Sequence, residues 1–160
     1  MVTPRKRDIS LRGKIIYSVY LRNHTPEGTF AALEGDLDRI KALGTDIIWL
    51  LPIHPIGQLN KKGGLGCPYS ISDYRGINPA YGTEDDLKHL VGEIHARGML
   101  CIIDVVYNHT SHDSVLFREH PNTSTARRTA ASAIATAIGP TCSISIIPTG
   151  ISGITRSKRW

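Results

Sequence analysis

The sequence predicts an α/β fold, a parallel sheet with helices packed on it. Three observations carry this expectation. Three short apolar segments rich in β-branched residues, 14–21, 46–52 and 99–106, have the length of strands. Between them lie two stretches, beginning near Thr29 and Thr83, whose apolar residues return every three or four positions, the repeat of a helix face. The strand segments are apolar almost throughout, as expected of parallel strands covered on both sides.

Taken in order, residues 1–13 form a basic N-terminal extension ahead of "KIIYSVYL" (Lys14–Leu21), the first strand. Phe30, Leu33, Leu37, Ile40 and Leu43 then mark one face of a helix, with Gly44 as its stop. "DIIWLLP" (Asp46–Pro52) is the second strand. The connection from Ile53 to Gly82 is too long for a plain strand-to-helix loop and is where α/β barrels keep their function. Thr83 caps a second helix whose Leu87, Leu90, Val91 and Ile94 share a face, with Gly98 past its end. "MLCIIDVV" (Met99–Val106) is the third strand. Strand, helix, strand, helix, strand implies two right-handed crossovers.

Composition bounds the function classes. The chain has 160 residues, 41% hydrophobic and 21% charged, the profile of a globular protein with one core. No apolar run approaches the length of a membrane span, and no apolar stretch follows the basic start, so neither membrane insertion nor a signal peptide is expected. Cys67, Cys101 and Cys142 are far apart and form no metal-type pair, which fits a reducing, cytoplasmic setting. The net charge is +5, yet residues 1–121 hold 14 basic and 14 acidic residues. The whole excess sits in residues 122–160, so nucleic-acid binding is a weaker alternative that depends on this tail. There, Thr, Ser, Ala and Ile make up 26 of 39 residues, a composition that predicts an irregular segment.

Polar groups gather where the strands should end: Asn23 and His24, then His54, then Asp104, Asn108 and His109. An aspartate inside an apolar strand is costly unless it is paired, so Asp104 is either a satisfied structural acid or a functional one. His109 and His112, three residues apart, lack the further ligands a metal needs. Tyr69 and Tyr74 lie in the long loop, where a tyrosine can stack on a sugar or simply pack.

"DVVYNH" (Asp104–His109) resembles the first signature region of the α-amylase superfamily of glycoside hydrolases (family 13). "GCPYSISDYRGINPAYGTEDDLKHLV" is similar to that family's segment between the second barrel strand and the next helix, and "LGTDIIWLLPIHP" to the second strand itself. The resemblance covers residues 14–121 and implies a partial (β/α)₈ barrel, three strands and two helices of it, followed by an irregular tail. It also implies an enzyme acting on α-glucosidic bonds of a starch-like glucan or maltooligosaccharide, with no required cofactor. By the same resemblance His109 would hydrogen-bond the sugar at the cleavage subsite and Tyr69 would stack beneath it. Asp104 would support the site through an arginine later in the family's chain. Asn108 matches a position that ligates a structural Ca²⁺ in many relatives.

Retaining glycosidases need a carboxylate nucleophile and a carboxylic acid roughly 5–5.5 Å apart. The resemblance places these after the fourth and fifth strands and a further essential Asp after the seventh, whereas this sequence has no Asp or Glu beyond Glu119. The chain is therefore expected to be inactive itself. A glucan-binding or regulatory fragment is the alternative. The genetic code accounts for the abrupt loss of resemblance near Pro121. Regrouping the codons of Asn122–Thr125 by one base permits "EYFY", and regrouping those of Ala137–Thr149 permits "GDWTDVFDLDYSN", both similar to the family's continuation. Residues 122–160 are thus expected to be a frameshift product. Three strands leave open sheet edges and one face unpartnered, so the fragment is expected to aggregate.

Overall fold

The computed structural model describes residues 11–61, 63–106, 109–119 and 145–148. The chain runs β1 (Ile16–Val19), α1 (Leu21–His24), α2 (Phe30–Glu34), α3 (Leu37–Ala42), β2 (Ile47–Leu50), α4 (Glu84–Ala96), β3 (Leu100–Val105), α5 (Val115–Glu119) and β4 (Ser145–Pro148). The strands form one sheet in the order β1-β2-β3-β4, and every pairing is parallel. The three expected strands are in place, and Ile16, Ile47 and Leu100 stand in register across them.

Local chemistry sets the helix starts. Thr29 Oγ1 accepts the Ala32 amide at 3.2 Å ahead of α2. Thr83 and Asp86 form a reciprocal capping box ahead of α4: Thr83 Oγ1 accepts the Asp86 amide, and the Asp86 carboxylate accepts the Thr83 amide at 2.7 Å. Both chain reversals into the next strand use glycine at positive φ, Gly44 at 85° and Gly98 at 68°.

Two expectations need correction. The periodic segment after Thr29 is not one helix but two, α2 and α3, divided at Gly35 and Asp36. The apolar repeat continues across the break, which is why periodicity alone does not reveal it. Asp36 is turned to other work: its carboxylate accepts from Arg39 at 2.7 Å and 2.6 Å and lies 2.8 Å from His24 Nε2. The tail is also not irregular throughout, because Ser145–Pro148 forms β4 beside β3, with Asp104 in register with Ile147. Two neighbouring isoleucines have high strand propensity, and the free edge of β3 presents backbone groups that need partners. The rest of residues 120–160 lies outside the described residues.

The sheet has two unlike faces. Val19, Ile48, Leu50, Cys101, Ile103 and Val105 alternate onto the face that packs against the helices. Phe30, Leu33, Leu37 and Ile40 from α2 and α3, with Leu87, Leu90, Val91 and Ile94 from α4, complete this core. The other face carries Ile16, Ile47, Trp49, Leu100, Ile102 and Asp104. Ile47 and Ile102 are buried there, but Ile16 and Leu100 are 49% and 46% exposed.

Candidate functional site

Asp104 is the fifth residue of β3, on the face away from the helices, and only 1% exposed. The Tyr69 hydroxyl donates to Asp104 Oδ2 at 3.1 Å. Asp104 Oδ1 is buried with no hydrogen-bond partner among the described residues. Burial raises the Asp104 pKa above the ordinary carboxylate range, and the Tyr69 hydrogen bond opposes that rise. Burial, then the negative charge of Asp104, push the Tyr69 hydroxyl up to about 12, so it remains a donor at neutral pH. The sequence offers two accounts of Asp104, and the structure brings it together with Tyr69 while leaving one oxygen open.

Tyr69 comes from the long connection between β2 and α4, which is built rather than loose. Ile56 and Ile71 form an antiparallel bridge within it, and the Gly57 amide donates to the Ser70 carbonyl at 2.9 Å. Arg22 reaches from α1 to donate to the carbonyls of Gly66 at 3.1 Å and Leu65 at 3.3 Å, while its guanidinium lies 5.5 Å from the Tyr20 ring centroid. The segment leading to Tyr69 is therefore tied to the end of β1. The Tyr69 ring packs against the edge of the core.

The same loop clasps the chain that follows β3. The Ser111 amide and the Thr110 hydroxyl both donate to the Ile71 carbonyl, at 3.0 Å and 2.8 Å. The Asp113 carboxylate accepts the amides of Gln58 at 2.8 Å and Leu59 at 3.1 Å, and these backbone hydrogen bonds hold its pKa down to about 2. Gly57 is required at this crossing, since a Cβ there would lie 2.3 Å from Ser111 Cβ. The Tyr74 hydroxyl lies 2.7 Å from the Val106 carbonyl and 2.8 Å from the His109 carbonyl.

The remaining sequence candidates separate. His109 has an exposed side chain and joins the site through its backbone. His54 is buried, donates from Nδ1 to the Gly76 carbonyl at 2.9 Å, and faces the Tyr74 ring at 5.9 Å. Burial lowers its pKa and keeps it neutral. His24 is engaged with Asp36 and edge-on to Tyr17, so it serves the α1–α3 packing. His112 is exposed. Asn108, the residue matched to a Ca²⁺ ligand, lies outside the described residues. Among the described residues no three of His, Cys, Asp and Glu are grouped to hold a metal ion. No helix among them is long and apolar enough to cross a membrane.

Sequence reasoning missed Arg22 and Asp113. Their partners are backbone groups 43 to 55 residues away, so no spacing pattern marks them.

Comparison with known proteins gives these features a context. The model of the alpha-amylase catalytic domain matches residues 11–133. Among curated proteins, an oligo-1,6-glucosidase of Bacillus sp. (strain F5) is 41% identical over 110 residues, 66% of this chain and 20% of the relative. A trehalose-6-phosphate hydrolase of Escherichia coli (strain K12) is 37% identical over 114 residues, covering 68% of this chain and 19% of the relative. Among solved structures, an alpha-amylase from Lactobacillus plantarum aligns with a TM-score of 0.68 at 60% identity, over 69% of this chain and 26% of that one. A maltogenic alpha-amylase from Thermotoga neapolitana aligns with a TM-score of 0.65 at 41% identity, over 68% of this chain and 26% of that one. The chain thus spans about a fifth of the length of the curated relatives it matches.

Proposed function

Because the chain belongs to the alpha-amylase family of glycoside hydrolases, we propose that it carries the substrate-holding part of an active site for α-linked glucosides. The parallel strands are the beginning of a barrel, and the Tyr69–Asp104 pair at the end of β3 is the observation that carries this reading. Tyr69 offers an aromatic face for a sugar ring, and its hydroxyl is fixed by the buried acid. Asp104 Oδ1, which has no partner among the described residues, would accept from the arginine that the resemblance implies later in the family's chain. His109, exposed just past the strand, would supply a hydrogen bond to the sugar. Asn108 would contribute one neutral oxygen toward a structural Ca²⁺, and a single such ligand does not make a site.

The 160-residue chain itself is proposed to be inactive as a hydrolase. Retaining hydrolysis needs two carboxyl groups across the scissile bond, whereas Asp104 is buried against Tyr69 and the Asp113 carboxylate is taken up by the Gln58 and Leu59 amides. In this reading residues 122–160 are the product of a shifted reading frame. The strand at Ser145–Pro148 is compatible with that origin, since an isoleucine-rich segment pairs with an open edge without having been selected to do so.

Two experiments test the proposal. The purified chain should bind maltoheptaose and release no glucose or shorter oligosaccharide from it; retaining hydrolysis in a preparation free of contaminating amylase would overturn the claim of inactivity. Resequencing the gene across the Pro121 codon should reveal one lost base or two gained, and an intact frame in the source genome would remove the frameshift account.

A further inference from the structure

We propose that Tyr74 is a positioning residue that fixes the segment carrying His109, and that its hydroxyl, rather than its ring, does so. The proposal rests on the glucoside-holding reading for the identity of the ligand. Its structural half stands on geometry alone.

Tyr74 is 3% exposed, and its hydroxyl lies within 2.8 Å of two backbone carbonyls, those of Val106 and His109. A phenol has one proton, so the two acceptors share it, and the oxygen is held midway between them. The two carbonyls are three residues apart, one just past β3 and the other at His109. One side-chain atom thus holds the chain at both positions. The anchor is itself held, because the His54 ring lies against the Tyr74 ring at 5.9 Å and is fixed to the Gly76 carbonyl at 2.9 Å. Beyond His109, Thr110 and Ser111 are bound to Ile71, three residues before Tyr74 in the same loop. The loop that presents Tyr69 therefore also sets where the His109 backbone sits. The Tyr69 face and the His109 side chain are placed by one piece of chain, although they come from segments 40 residues apart. A sugar held between the two would sense the hydroxyl of Tyr74 without touching it.

The test is Tyr74→Phe, which keeps the ring against His54 and removes only the hydroxyl. Tyr17→Phe serves as the control for hydroxyl loss, since Tyr17 interacts with Arg39 and His24 rather than with Val106 or His109. Rapid-quench hydrogen exchange of the full chain should show the Ser111 amide exchanging about tenfold faster in Tyr74→Phe, with Ile48 and Ile103 unchanged. Affinity for maltoheptaose should fall about tenfold in Tyr74→Phe and hold in Tyr17→Phe. Unchanged exchange at Ser111, or an equal rise at Ser111 and Ile103, would overturn the positioning role. If the unaltered chain does not bind maltoheptaose, the glucoside reading fails, and the exchange result still decides the role of Tyr74.

Discussion

Asp104 shows how one residue can be costly and useful at once. Its carboxyl is almost fully buried, with one oxygen bound by Tyr69 and the other without a described partner. Its raised pKa means that the folded chain holds this proton more tightly than the unfolded chain does. Stability from this group is therefore fully present below the ordinary aspartate value of about 3.9 and falls as pH rises from there to the raised value. Asp104→Asn keeps an oxygen for Tyr69 and removes the charge. It should flatten that fall and leave stability at pH 7 equal or higher, as read from urea midpoints across pH 3–8. A midpoint at pH 7 that drops by the equivalent of more than ~1 kcal/mol would mean that the ionised form is supported by a partner.

At this scale the sequence is partly legible. An acid inside "CIIDVV" announces itself, because the surrounding residues are apolar and the acid is not. Tyr69 and Tyr74 look alike as loop tyrosines, yet one binds a carboxylate and the other two carbonyls. Nothing in their spacing separates those roles. Arg22 and Asp113 are less legible still, since any exposed-looking charge can end on a distant backbone group.

At the scale of elements, the strands and α4 follow from local rules. β2 and β3 are β-branched runs bounded by glycine or proline, and α4 has its cap, its apolar face and its terminal glycine in sequence order. The capping box is open to a direct test. Thr83→Ala removes the acceptor for the Asp86 amide and the hydroxyl that Asp86 binds, and should destabilise the chain by about 1 kcal/mol. Thr83→Ser should restore most of that, and an alanine variant as stable as the parent would show that α4 is held by its packed face alone. The division of α2 from α3 is an element-scale feature that periodicity hides. Gly35 and Asp36 interrupt the backbone while Leu33, Leu37 and Ile40 keep their burial. β4 was hidden for another reason. Its isoleucines permit a strand, but the partner is set by the open edge of β3, which its own four residues do not encode.

The whole molecule inherits the imbalance between its two sheet faces. The helix-covered face is closed, whereas Ile16 and Leu100 on the other remain about half exposed, joined at the same end of the molecule by Ile15 at 53%. β1 stands at the sheet edge and has no charged residue within it. The neighbouring Lys14, which could guard the edge, is bound to Asp46 at 2.8 Å. Concentration-dependent association is the expected outcome, visible as a rise in weight-average mass by light scattering. Ile16→Lys should suppress it by placing a charge on the exposed apolar edge. Equal association in the variant would locate the contact elsewhere, with the edge of β4 the next place to look.

The stitches between the long loop and the chain after β3 also impose an order in time. Asp113 is made 55 residues after Gln58, whose amide it binds. At a synthesis rate of ~5–20 residues per second, the loop leaves the ribosome roughly 3–11 s before its clasp exists. During that interval Gln58 and Leu59 lack Asp113, and Ile71 lacks Ser111, although Arg22 is already available. Nascent chains stalled before Ser111 should therefore be cut by a protease within this loop, and chains stalled well beyond Glu119 should resist. Equal cutting of both would mean that the loop is secured by Arg22 and its own Ile56–Ile71 bridge from the start. A ribosome pause soon after the Asp113 codon, with that residue still inside the exit tunnel, would lengthen the exposed interval.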